Sequence, residues 1–155
     1  MLSTPHLLVG AACGIVSRNP LVAFGAGFLS HIILDLLPHC DQDHLCYKKQ
    51  FGIIKLISVI DFLLGIVLLC VLLKGRSLYT LELAFFGACG GFSLDFIDNF
   101  IGKFFWPAFR ETRIGRRIHA FHEYFHTHTP PRKWILGIAT QVASSFGSII
   151  AFYYL

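Results

Sequence analysis

Five blocks of apolar residues, separated by polar breaks, organise this chain. The first runs from about Leu2 to Val16; Ser3 or Thr4 is placed to cap it, and Pro5 suits a first helical turn. Ser17-Arg18-Asn19-Pro20 breaks it. The second block runs from Leu21 to Leu37 and stops at Pro38. The third, Phe51 to Leu73, is the clearest membrane-spanning candidate and ends at Lys74-Gly75-Arg76. The fourth runs from Tyr79 to about Ile101, and the fifth from Trp134 to Leu155, with Trp134 and Tyr153-Tyr154 as interface anchors.

A helix needs about 20 apolar residues to cross the hydrocarbon core. The third, fourth and fifth blocks reach that length. The first two, at 15 and 17 residues, either cross where the bilayer thins or form a re-entrant hairpin buried in protein. Gly10 and Gly14 form a GxxxG spacing, as do Gly87 and Gly91. We read both as ordinary close packing of helices. Of the two long polar connections, 39–50 and 102–133, the second holds an amphipathic stretch at Ile114 to Phe125. No internal repeat is visible. The predicted architecture is all-α: a polytopic membrane bundle of about five hydrophobic helices plus a short cytoplasmic amphipathic helix, forming a single integral membrane domain over residues 1–155.

Composition agrees with that reading. Apolar residues are 55% of the 155 and charged residues 14%, against roughly 25% charged in soluble domains. That composition weighs against a soluble globular protein and excludes intrinsic disorder. The excess of 13 Lys+Arg over 9 Asp+Glu is read as topogenic charge beside membrane spans. A nucleic-acid surface would need a basic face with stacking aromatics on a soluble module, and none is visible. With five crossings, Lys48, Lys49, Lys103, Arg110, Arg113, Arg116, Arg117, Arg132 and Lys133 share a side with the N-terminus, and Arg18, Lys74 and Arg76 fall opposite. The positive-inside rule then puts the N-terminus and both long loops in the cytoplasm, at the inner membrane. The start carries no positive side chain before its apolar stretch, so the first segment is expected to stay in the mature protein. The five cysteines form no CxxC pair and are read as free thiols.

Helix alternation brings all eight histidines to that cytoplasmic side, together with Asp35, Asp41, Asp43, Asp95, Asp98, Glu111 and Glu123; only Glu82 is placed at the other face. His31 and Asp35, four apart inside an apolar block, share a helix face. His119, His122 and His126 follow at helical spacing, and Asp95 and Asp98 lie three apart near the end of the fourth block. Asp61 lies mid-segment in the third, about 15 Å from its start. A carboxylate in lipid costs about 2.5–3.5 kcal/mol on insertion scales, so such a set needs partners. Imidazole and carboxylate suit zinc or another borderline divalent metal, which would neutralise the carboxylates. The expected ligands are His6, His31, Asp35, Asp95, His122 and His126, with His39 and Asp61 as further ligands or groups that orient them. The ligands outnumber one tetrahedral site, so one or more ions are expected. His44, His128, Asp43 and Glu111 are read as solvated.

These motifs, taken in order, resemble the membrane-bound metal-dependent hydrolase family, itself loosely related to zinc-dependent phospholipase C. Thr4-Pro5-His6-Leu-Leu-Val-Gly10 is similar to its HxxxG start, and His31-Ile-Ile-Leu-Asp35-Leu-Leu-Pro38-His39-Cys-Asp41 to its second-helix motif. Gly90-Gly91-Phe-Ser-Leu-Asp95 is similar to a second glycine-rich approach to an aspartate, and His119-x-x-His122-x-x-x-His126 to the late histidine cluster. His39 stands where many members have Asp, and Ser93-Leu94 where Leu-Pro is usual.

The resemblance implies hydrolysis of a phosphoester or ester, with a membrane lipid as candidate substrate. Glu123 or Asp98 is the candidate general base. Arg116 and Arg117 are read mainly as topogenic charges or anionic-lipid contacts, with a phosphate or lipid head group of the substrate as the alternative. Two other classes stay open. An ion- or proton-handling protein needs ionisable groups through the bilayer depth, where only Asp61 lies deep. A structural membrane protein would use a closed metal shell to tie helices together. Haem held by two histidines is a minor further option, since no pair faces across mid-membrane.

Overall fold

In a computed structural model, which describes residues 1–40, 51–127 and 133–155, each apolar block forms a helix. Their order is α1 (Ser3–Ser17), α2 (Pro20–Leu36), α3 (Phe51–Leu72), α4 (Leu78–Asp95), the amphipathic α5 (Arg113–Phe125) and α6 (Trp134–Tyr154). There is no strand among the described residues. Asp41, Asp43, His44, Lys48, Lys49, His128 and Arg132, named above, and Cys46, one of the five cysteines, lie outside the described residues.

The helix ends follow local chemistry. The Asn19 side chain accepts from the Leu21 and Val22 amides with Pro20 at the first position of α2. Ser77 accepts from the Thr80 amide at the start of α4, and Thr112 from the Gly115 amide at the start of α5. Arg18 closes α1 in the left-handed region, at φ 57°. At its start α1 departs from the sequence expectation. Ser3 and Thr4 are inside the first turn, and the preceding Leu2 has no capping side chain. Asp61 of α3 caps instead: its Oδ2 accepts from the Ser3 amide and, at 3.2 Å, from the Thr4 amide, while Thr4 Oγ1 donates to the Asp61 carbonyl. One carboxylate thereby serves two orphan amides and meets the positive end of the helix dipole.

α4 does not stop near Ile101. It continues through wider, π-helical turns over Phe96–Phe105, and a shorter turn, Pro107–Glu111, leads into α5. With that extension, three helices are long and apolar enough to cross a membrane: Phe51–Leu72, Leu78–Phe105 and Trp134–Tyr154. α1 and α2 are shorter. Five crossings are therefore the sequence expectation, and three have the length.

α1 is the central helix, packed against α2, α3, α4 and α6. Leu8 and Ala11 are fully buried on it, against Ala84, Ala88 and Phe92 of α4. Both GxxxG pairs meet here. A methyl group added at Gly10 would lie 2.6 Å from the Gly87 carbonyl oxygen, and one added at Gly91 would strike the His6 carbonyl. By contrast, α3 turns Leu56, Ile60, Leu63, Val67 and Val71 outward, a wholly apolar exposed face suited to lipid rather than water. Cys13, Cys70 and Cys89 are free thiols, and the buried Cys40 Sγ donates to the Trp134 carbonyl at 3.2 Å.

Candidate metal centre

One end of the bundle gathers side chains from four helices. His6 comes from the first turns of α1; His31 and Asp35 from the last turns of α2; Asp95 from the end of α4; His122 from α5. His39 and His126 lie just beyond α2 and α5. His6, His31, Asp35, His39, Asp95 and His122 are all buried. They form three overlapping groups able to hold a metal ion: His6, His31 and Asp95; His31, Asp35 and His122; Asp35, His39 and His126. His31 and Asp35 each belong to two of them, so the groups are one continuous cluster.

The middle group is the tightest. His31 Nε2 lies 3.0 Å from Asp35 Oδ2, and His122 Nε2 lies 3.2 Å from the same oxygen. The two ring nitrogens are 3.4 Å apart. The opposite nitrogens decide what these atoms are. His31 Nδ1 donates to the Gly91 carbonyl at 2.7 Å, an oxygen that only accepts. His122 Nδ1 donates to Asp98 Oδ2 at 3.0 Å. In the neutral tautomers, each Nε2 therefore carries a lone pair, and both aim at a carboxylate oxygen. Three electron-pair donors converge with no hydrogen among them. Only a cation relieves that arrangement: a proton on one imidazole, or a metal ion.

His122 is where the proton goes in the absence of metal. Burial opposes the imidazolium, but hydrogen bonds to Asp35 and Asp98 outweigh it and raise the pKa to about 10. Elsewhere in the cluster, the buried N-terminal ammonium of Met1 donates to Asp35 Oδ1 at 3.2 Å. His6 Nε2 is 3.2 Å from the same oxygen and 3.8 Å from Asp95 Oδ2. Yet both His6 ring nitrogens and Asp95 Oδ2 are buried without a hydrogen-bond partner among the described residues. Such orphaned atoms are rare in folded proteins and fit a site that takes a cation. His39 repeats the motif, with Nδ1 2.8 Å from the Leu37 carbonyl and Nε2 3.0 Å from His126 Nε2.

Behind the ligands stand Asp98, expected as a candidate general base, and His119, together with Arg110, Asn99 and Gln141, which sequence reading missed. Arg110 donates to Asp98 Oδ1 from Nε at 2.9 Å and from Nη2 at 2.8 Å. Asp98 Oδ2 accepts from both His119 and His122, each at 3.0 Å. Both carboxylate oxygens are thus engaged, and Asp98 holds the His122 ring in orientation. Asn99 donates to Asp95 Oδ1 at 2.8 Å. Gln141 of α6 accepts from the Leu2 amide and donates to the Cys40 carbonyl, tying the start of α1 to the segment that carries His39. The sequence held no local signal for Arg110, which lies twelve positions after Asp98 and counted there only toward topology.

The sequence candidates divide accordingly. His6, His31, Asp35, His39, Asp95, His122 and His126 come together. Asp61 lies outside the three groups and caps α1. Glu123 is exposed, on the outward side of α5. Glu111, Arg116 and Arg117 are likewise exposed. The fold and site define an all-helical protein with three helices long and apolar enough to cross a membrane, and buried His/Asp groups able to hold a metal ion. Comparison with protein-family models, with curated proteins and with solved structures finds no match.

Proposed function

We propose that this chain is a membrane-embedded, metal-dependent hydrolase acting on a phosphoester or ester, with a membrane lipid as the candidate substrate class. The convergence of His31 Nε2, His122 Nε2 and Asp35 Oδ2, each ring fixed from behind, carries the reading. His31, Asp35 and His122 would hold the first ion; His6 with Asp95, and His39 with His126, extend the site toward further ions. The donor set, imidazole nitrogen and carboxylate oxygen, suits zinc. A zinc-type ion there supplies Lewis-acid chemistry of the kind that splits phosphoesters and esters.

The chain's own residues prepare the site. Asp98, held by Arg110, keeps the His122 ring turned toward Asp35. The Gly91 carbonyl does the same for His31. Burial keeps bulk water from competing for the ligand atoms. The motif resemblance supports the same reading, since His6, His31, Asp35, His39, Asp95, His122 and His126, which fall in the matching motifs, come together. The distribution of Lys and Arg supports an inner-membrane location with the N-terminus and site on the cytoplasmic side.

The full burial of His6, His31 and Asp35 favours a second reading, a structural membrane protein whose metal ties helices together. One experiment separates the two. The detergent-purified protein is analysed for metal beside a His31→Ala/Asp35→Ala variant, then assayed on phosphoesters and lipid esters. Near-stoichiometric metal lost in the variant, with metal-dependent turnover, supports the hydrolase. Metal without turnover on any ester leaves the structural tie. A folded wild type that takes up no supplied metal rejects both.

A further inference from the structure

A second feature shares no lining residue with the His/Asp cluster. Between α3 and α4 runs an open apolar groove of about 640 Å³. Leu69 and Leu73 of α3 and Leu81 and Ala88 of α4 line its walls. Phe62 and Phe92 line its inner end, their rings stacked with centroids 4.7 Å apart, and Phe100 packs against both. Lys74, exposed in the turn between the helices, stands at the mouth.

Size, shape and charge select one occupant. From Phe62 to Leu73 the wall is about 16 Å long at 1.5 Å per residue. That is about half of a ~30 Å hydrocarbon core, the depth of one leaflet. The volume falls within the range of small-molecule pockets, and an apolar wall of this length fits a single hydrocarbon chain. Lys74 is the one charged residue that lines the groove; Arg76 of the same turn donates to the Phe152 carbonyl instead. A cation at the end of an apolar slot fits an anionic head on an acyl tail. We propose that the groove binds one acyl chain of an anionic phospholipid, with its head group on Lys74. The lipid fills the gap beside α3, which packs chiefly on α1. This site is independent of the hydrolase reading.

The protein is placed in nanodiscs of equal phosphatidylcholine and phosphatidylglycerol, released into the gas phase, and weighed by native mass spectrometry. One retained lipid per chain is expected, with phosphatidylglycerol favoured about fivefold. Lys74→Gln should keep the lipid and lose the preference. Cys70 and Cys89 are exposed and line the groove, so Cys70→Trp/Cys89→Trp fills it without touching the buried core and should lose the lipid. Helical circular dichroism checks that each variant is folded. Absence of any retained lipid overturns the proposal. So does retention unchanged in a folded double-tryptophan variant, or a head-group preference unaffected by Lys74→Gln. A lipid-free dimer would assign the groove to a second copy of the chain.

Discussion

At the scale of single residues, His122 is the hinge of the site's chemistry. Its Nδ1 is committed to Asp98, so its Nε2 carries either a proton or a metal ion. In the metal-free protein its pKa is raised to about 10 from 6.5. A raised pKa stabilises the fold fully below the unfolded value, and the contribution is lost as pH rises through the folded one. The melting temperature of metal-free protein should therefore fall between pH 6.5 and 10 by an amount that His122→Gln removes. Metal uptake at pH 7–8 must displace that proton. An indicator dye in weak buffer should record about one proton released per ion bound, and affinity should weaken as pH falls. No release would mean that His122 is not a ligand. Asp98→Asn, which exchanges the carboxylate behind His122 for an amide, should weaken metal binding by about 10- to 100-fold in a chelator competition.

At the scale of elements, two contacts set where the ligands stand. Asp61 caps α1 from α3, and His6 lies only a turn further along. Loss of a cap costs about 0.5–2 kcal/mol. Asp61→Ala should lower stability by that order in denaturant titration while leaving metal stoichiometry unchanged. Loss of an ion along with the carboxylate would make Asp61 a ligand instead. The glycine contact between α1 and α4 is less tolerant. A side chain at Gly87 would meet the Gly10 carbonyl and the Gly14 backbone, which have no flexible end to move aside. Overpacking a tight core costs about 1–3 kcal/mol, and more where only backbone can give. Gly87→Leu should push the helices apart, lower the melting temperature, and cost metal affinity as well, because Asp95 rides on the same helix as Gly87. Gly25, which meets nothing within 4 Å, is the matched control.

At the scale of the whole molecule, an ion held by His31, Asp35 and His122 would join α2 to α5, and one held by His6, His31 and Asp95 would join α1, α2 and α4. A ligand that binds only the folded state stabilises it by mass action, by about 4 kcal/mol at a thousandfold excess over its dissociation constant. Stripping metal with a chelator should lower the melting temperature of wild type, and added zinc should restore it. His31→Ala/Asp35→Ala should show neither response.

The five helical blocks, the amphipathic stretch and the residue types of the site were legible in the chain, because each is a local property. Apolar runs, prolines and capping side chains act within a few residues, and His and Asp at helical spacing share a face wherever the helix lies. Alternation of helices even placed the ligands at one end. What the chain could not show was set by contacts between distant segments. The shortest block, α1, proved to be the centre of the bundle, since helices on its sides replace the lipid that a longer span would need. Asp61 went to the start of α1, and Arg110 and Asp98 to the back of His122. A buried charge takes its role from whichever partner the packing brings within about 3 Å, and that distance is fixed only when the helices meet.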